Sequence, residues 1–178
     1  MKAKELTDAE LLVLGLVSEM PRHGYELEQV IEQRGMREWT HIGFSSIYFV
    51  LGKLEKMSLV AAGKPPGPKA RKIYAVTERG LEALTARSLA ALGSVRPTYS
   101  SVLMGMLHWP LLKRKDALKA LRERAGAVAA EIDRLKTIRL DQQPLPDFIE
   151  ALFEFSLDQL NAEAAWIART SDYMEHKP

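Results

Sequence analysis

No cysteine occurs in the 178 residues. Its absence excludes disulfides, thiolate metal sites and a cysteine nucleophile, and it suits a reducing compartment. No window approaches the ~18 consecutive apolar residues that a membrane-spanning helix needs. The amino-terminal MKAKELTDAELLVLGLVSEM interleaves acids with its leucines and reaches no small-residue cleavage site, so a secretory signal is not expected and the cytoplasm is. Charge of neither sign dominates: 25 Lys+Arg stand against 23 Asp+Glu, a net charge of +2. With 47% hydrophobic and 27% charged residues, the composition is that of a globular chain able to bury a core, neither disordered nor membrane-embedded.

Catalytic and metal motifs are missing too. There is no G-x-S-x-G elbow, and the stretch Gly63 to Lys69 lacks both the spacing and the following Ser/Thr of a phosphate-binding loop, while its prolines have no N–H to offer. His23, His41, His108 and His176 show neither i, i+4 spacing nor neighbouring carboxylates, so no metal and no cofactor are expected. The chain reads as a non-enzyme.

What is present is a run of helices interrupted once. Thr7 and Glu10 form a capping box that opens a helix to Glu19. Met20 to Gly24 breaks it, and Tyr25 to Gln33 resumes helical spacing until Gly35. A third helix spans Phe44 to about Met57, with Ile47, Val50, Leu51 and Leu54 on its apolar side. Two short β-like stretches follow, Leu59–Ala62 and Lys72–Val76, joined by a basic, proline-stiffened loop, a two-stranded hairpin. Thr77 then caps a fourth helix to about Leu92. These features give two domains: a winged-helix unit over 1–92 and a helical unit over 93–178.

Three helices and a hairpin in this order describe a winged helix-turn-helix, whose third helix enters the major groove. Charge supports that use. Lys53, Lys56, Lys64, Lys69, Arg71 and Lys72 face Glu55 alone, a local balance of +5, on a surface that would meet phosphates. With the apolar side of the third helix turned inward, Ser45, Phe49, Gly52 and Lys56 face outward, flanked by Tyr48 and Lys53. Ser45 and Ser46 stand at the amino end, suited to a phosphate. Phe49, an outward phenylalanine, requires a thymine methyl, the preceding loop or another chain to cover it.

Beyond residue 93 the pattern is helical throughout. Leu118, Leu121, Ala125, Val128, Ile132 and Leu135 step by 3, 4, 3, 4 and 3, a heptad-like seam. Pro144 and Pro146 end that segment. The next, Asp147 to about Thr170, carries Phe148, Leu152 and Phe155 on one stripe and Phe153, Leu160 and Ile167 on another, an apolar face too wide for one partner helix. Those six residues are the candidate dimer contacts with a second copy. His108, Trp109 and Trp166 either pack within the helical unit or line an effector cleft between domains or subunits.

His23-Gly24-Tyr25-Glu26-Leu27, then Ser46-Ile47-Tyr48 with Leu51 and Leu54, then Arg71-Lys72-x-Tyr74-x-x-Thr77-x-x-Gly80 resemble the PadR family of bacterial transcription regulators. The resemblance covers about residues 6 to 92, and the tail is similar to the helical dimerisation domain of the longer, AphA-like members. It implies a homodimeric, sequence-specific DNA-binding regulator, in the first place a repressor. Its partners would be double-stranded DNA, a second copy and an unidentified small-molecule effector, with no membrane. The resemblance implies DNA contacts for the wing's basic residues and for Tyr48; with the outward face and charge read above, the candidate DNA contacts are Ser45, Ser46, Tyr48, Phe49, Lys53, Lys64, Lys69, Arg71 and Lys72. Phe49, Gly52 and Ser58 depart from the proline, basic residue and glycine often found there in the family, so base preference does not carry over and α-helical continuity at Gly52 is in question. The competing expectations are a winged-helix protein-interaction module and a small-molecule sensor without direct DNA readout.

Overall fold

The computed structural model describes residues 5–38, 43–63, 71–95 and 99–176, and within those the side chains of Glu38, Phe44 and Ser45 are left aside. The chain divides into two compact units, Met1–Pro97 and Thr98–Pro178.

The first unit opens with α1 (Asp8–Glu19). Thr7 Oγ1 accepts from the Glu10 amide at 3.3 Å and Glu10 Oε2 accepts from the Thr7 amide at 2.8 Å, so two otherwise orphaned donors are satisfied reciprocally. A second capping box starts α2 (Gly24–Gln33): His23 Nδ1 accepts from the Glu26 amide, and Glu26 accepts from the His23 amide. The third helix, α3, runs unbroken over Phe44–Lys56, and Gly52 does not interrupt it. Its end is a Schellman turn in which Leu59 N–H donates to the Leu54 carbonyl and Ser58 N–H to that of Glu55. Ser58 sits at φ 58° to close it, a left-handed conformation that favours glycine and costs a serine about 1 kcal/mol.

The sheet holds one strand more than the expected hairpin. β1 (Arg22–His23), β2 (Val60–Ala62) and β3 (Ile73–Val76) form an antiparallel sheet in the order β1-β3-β2. β1 is only two residues long, too short for alternation to reveal it. The helix α4 (Glu78–Gly93) follows, with Thr77 Oγ1 accepting from the Gly80 amide at 3.0 Å. The inner faces of α1, α2 and α3 meet β2 in one core, with Val13, Leu14, Leu27, Ile31, Leu51 and Leu54 fully buried. Burying each such side chain supplies ~1.5–3 kcal/mol.

The second unit contains α5 (Ser101–Leu107), a short 3-10 turn over Trp109–Leu111, and two long helices, α6 (Arg114–Asp141) and α7 (Asp147–His176). The expected seam on α6 is present: Leu118, Val128, Ile132 and Leu135 are buried. The facing stripe of α7 buries Phe153, Leu157, Ile167 and Met174. Ion pairs Arg124–Glu163 and Arg139–Glu150, each at 2.5 Å, fix the antiparallel register of this hairpin. Phe153 and Ile167 are 2% exposed inside the protomer, and Leu160 is half-buried. The expectation that Phe153 and Ile167 meet a second copy is corrected accordingly: α6 covers that stripe, and Phe148, Leu152 and Phe155 are the ones left open. Among the described residues no helix is long and apolar enough to cross a membrane.

Candidate nucleic-acid interface

The outer side of α3 is an aromatic and polar face. Phe49 is 74% exposed and Tyr48 49%. Ser46 lies beside them in the first turn, where its amide donates to the Gly43 carbonyl at 3.0 Å, and Lys56 is exposed at the far end. Inward packing of Ile47, Val50, Leu51 and Leu54, all buried, turns this face to solvent. Ser45 occupies the same first turn, its side chain outside the described residues.

Lys53 departs from the expectation. Its ammonium pairs with the carboxylate of Glu10, which is only 2% exposed and also accepts the Thr7 amide. A buried carboxylate demands a cation, and α3 presents Lys53 toward α1 to supply it. Lys53 is therefore a tie between α1 and α3 and not a member of the outward face.

The root of the wing adds cations beside that face. The Arg71 guanidinium stacks on the Tyr25 ring, 4.9 Å from its centroid, and Lys72 lies 3.5 Å from Glu55 of α3. His23, Gly24, Tyr25, Tyr48, Arg71, Lys72 and Tyr74 together line a concavity of about 280 Å³. Burial, and then the charge of Glu55, push the Tyr74 phenol above its ordinary pKa, with Lys72 acting in the opposite direction. Lys64 and Lys69, expected on the wing, fall outside the described residues.

Two features of this face were not expected from residue types alone. A Cβ on Gly24 would stand 2.6 Å from the Tyr48 ring, so a glycine is what lets that ring lie against the start of α2. The Arg71–Tyr25 stack is the second: the two residues stand in separate motifs, and nothing in either predicts their contact.

Gly52 gives a direct test of the face. A Cβ there would meet nothing within 4 Å, so Gly52→Ala should stabilise the helix by ~1 kcal/mol and raise the melting temperature by ~4–8 °C. If DNA approaches this point closely, the same methyl weakens specific duplex binding, so thermal melts and gel shifts should move in opposite directions.

Among the described residues no cluster of three or more His, Cys, Asp or Glu side chains is placed to hold a metal. In the second unit Trp109 and Trp166 do share a cleft, of about 230 Å³, with Met106, Leu112, Leu121 and Met174. It lies within that unit, and His108 is not part of its lining.

A three-helix core whose third helix stands exposed beside an antiparallel wing is a winged helix-turn-helix. Residues 13–86 match the transcriptional regulator PadR-like family. No curated protein sequence matches the chain. PadR of Bacillus subtilis, crystallised with operator DNA, is 18% identical over 93% of this chain and 98% of its own, with a TM-score of 0.73. The same protein with p-coumaric acid gives 0.75, at 18% identity over 94% and 98%. A PadR-like regulator from Bacillus cereus gives 0.68, at 19% identity over 96% and 100%. At these identities the likeness is one of fold, and it extends through the carboxy-terminal helices.

Proposed function

We propose that this chain is a PadR-like transcriptional regulator that works in the cytoplasm as a homodimer and represses by occupying a palindrome-like operator. The α3 helices of the two protomers would enter major grooves ~34–36 Å apart. The observation that carries this reading is the exposed Tyr48–Phe49 face of α3 lying beside Arg71 and Lys72 at the wing root. One surface thus offers groups suited to base edges next to groups suited to phosphates. The B. subtilis relative crystallised with operator DNA supports the choice of duplex DNA over a protein partner. The same relative crystallised with p-coumaric acid supports a small organic effector as the signal.

Salt dependence tests the assignment. Replacing Lys69, Arg71 and Lys72 together by alanine should weaken binding to every duplex and flatten the dependence of log K on log salt by ~0.9 for each phosphate that is no longer neutralised. Substitutions at Ser46, Tyr48 and Phe49 should instead change discrimination between sites, by ~1–3 kcal/mol for each base contact. An unchanged salt slope would remove the wing from the DNA-facing surface.

A further inference from the structure

The register of the small sheet brings together two residues that stand far apart in the chain. β1 runs antiparallel to β3, with Arg22 opposite Tyr74 and His23 opposite Ile73. Two residues beyond that last pair, forward on one strand and back on the other, stand Tyr25 and Arg71. The same register therefore carries the start of α2 past the root of the wing. There the Arg71 guanidinium lies over the Tyr25 ring, 4.9 Å from its centroid, within cation–π range.

The Tyr25 ring is not spent on the core. The residue is 43% exposed and lies outside the buried cluster that α1, α2 and α3 share. Its base is nevertheless rigid: Tyr25 is the second residue of α2, and the reciprocal bonds between His23 and Glu26 fix the turn from which it projects.

Arg71 is the complementary case. Among the described residues no ion pair or hydrogen bond engages its guanidinium, and the Tyr25 ring is what it rests on. Lys72, by contrast, lies 3.5 Å from the Glu55 carboxylate, so part of its charge is answered inside the protein. Arg71 is thus the wing-root cation left for an anion from outside. The stack borders the hollow of about 280 Å³ whose lining also includes Tyr48 of α3, Lys72 and Tyr74. Guanidinium, ammonium and phenol around one hollow suit the oxygens of a phosphate. An exposed arginine gives up many rotamers when it grips such a group, and a ring that holds the guanidinium beforehand removes part of that loss.

We propose that Tyr25 is a positioning residue for duplex binding: its ring aims the Arg71 guanidinium into the hollow between α3 and the wing root, where Arg71, Lys72 and the Tyr74 hydroxyl take one backbone phosphate. This deepens the DNA-binding reading above and rests on it. Tyr25 acts through Arg71 and does not itself touch DNA. The grip of the wing root is then set from α2, the helix before the one that meets the bases.

Anisotropy titrations of the full-length protein against a random-sequence duplex, over a series of salt concentrations, test this. Tyr25→Leu should weaken binding about two- to five-fold, the worth of an exposed cation–π contact. Tyr25→Phe keeps the ring and should bind as the parent does. Arg71→Ala should lower the salt slope by ~0.9, and in that background Tyr25→Leu should have no further effect. Arg71→Lys keeps the charge but loses the planar stack, so it should weaken binding and make it insensitive to Tyr25→Leu. Because it alters only the exposed wing root, this variant serves even where Tyr25→Leu disturbs α2. Equal losses in Tyr25→Phe and Tyr25→Leu would mean that the phenol contacts DNA directly, which ends the positioning role. So would a loss that persists undiminished in the Arg71→Ala background, or no loss in either Tyr25→Leu or Arg71→Lys. Each of these leaves the DNA-binding reading standing. A parent protein that fails to bind the duplex, or binds it without salt dependence, would overturn both.

Discussion

Gly80→Ala should unfold the winged-helix unit or come close to it. The added Cβ would stand 2.1 Å from the Leu59 carbonyl oxygen and 2.9 Å from Val76 Cγ2, and the obstacle is backbone, not the end of a flexible side chain. The Leu59 carbonyl cannot swing aside without loss, because it accepts the Thr77 amide at 3.1 Å. Relief therefore means lifting α4 off the wing. Overpacking against fixed backbone should cost about 3 kcal/mol or more of a total stability of ~5–15 kcal/mol, a fall in melting temperature of more than about 12 °C. Calorimetry checks it directly, and an unaltered melt would mean that α4 does not dock on Leu59 as described.

Lys53→Met should have the next largest effect. It strands the Glu10 carboxylate, 2% exposed, with the Thr7 amide but no cation. Breaking a buried pair from one side typically costs ~3–5 kcal/mol. Glu10→Gln combined with Lys53→Met should restore much of that loss, because the charge needing a partner has gone with the partner. A double-mutant cycle in urea would show strong coupling between the two positions. The folded double variant should keep its discrimination between DNA sites. Loss of discrimination in a fully folded protein would return Lys53 to the DNA-facing surface from which its pairing removes it.

Much of the winged-helix unit was legible in the sequence because its signals are local. Thr7 with Glu10 and Thr77 with Gly80 are contacts three residues apart, and the 3.6-residue period of Ile47 to Leu54 needs no knowledge of the rest of the fold. The outward Phe49 followed from that period alone. What escaped was what depends on distant partners. Lys53 lies at the edge of the apolar arc, where a helical wheel leaves its direction open, and only the approach of Glu10, forty-three positions earlier in the chain, turns it inward. β1 pairs with a strand some fifty residues away and carries no alternation of its own. On α7, the width of the apolar face was readable, but the division into a stripe for α6 and a stripe left open was not. The stripes that start at Phe153 and Phe148 lie five residues apart, and only the approach of α6 shows which of them is buried.

The serine at φ 58° in the turn after α3 now has its explanation in what surrounds it. The Thr77 hydroxyl donates to the Ser58 carbonyl at 2.8 Å, a hydrogen bond that offsets strain a glycine would not have. Ser58→Gly should therefore be tolerated and mildly stabilising.

The pairing of Lys53 with Glu10 and of Glu55 with Lys72, both in the last turn of α3, fastens that end of the helix to the body of its unit, while its buried apolar side packs along the core. Its pitch and roll are consequently set by the scaffold, and a distant signal has little scope to tilt the helix alone. On the proposed function, a signal that loosens DNA binding would have to displace the winged-helix unit as one body, so variants that retune response should cluster outside the face of Tyr48 and Phe49.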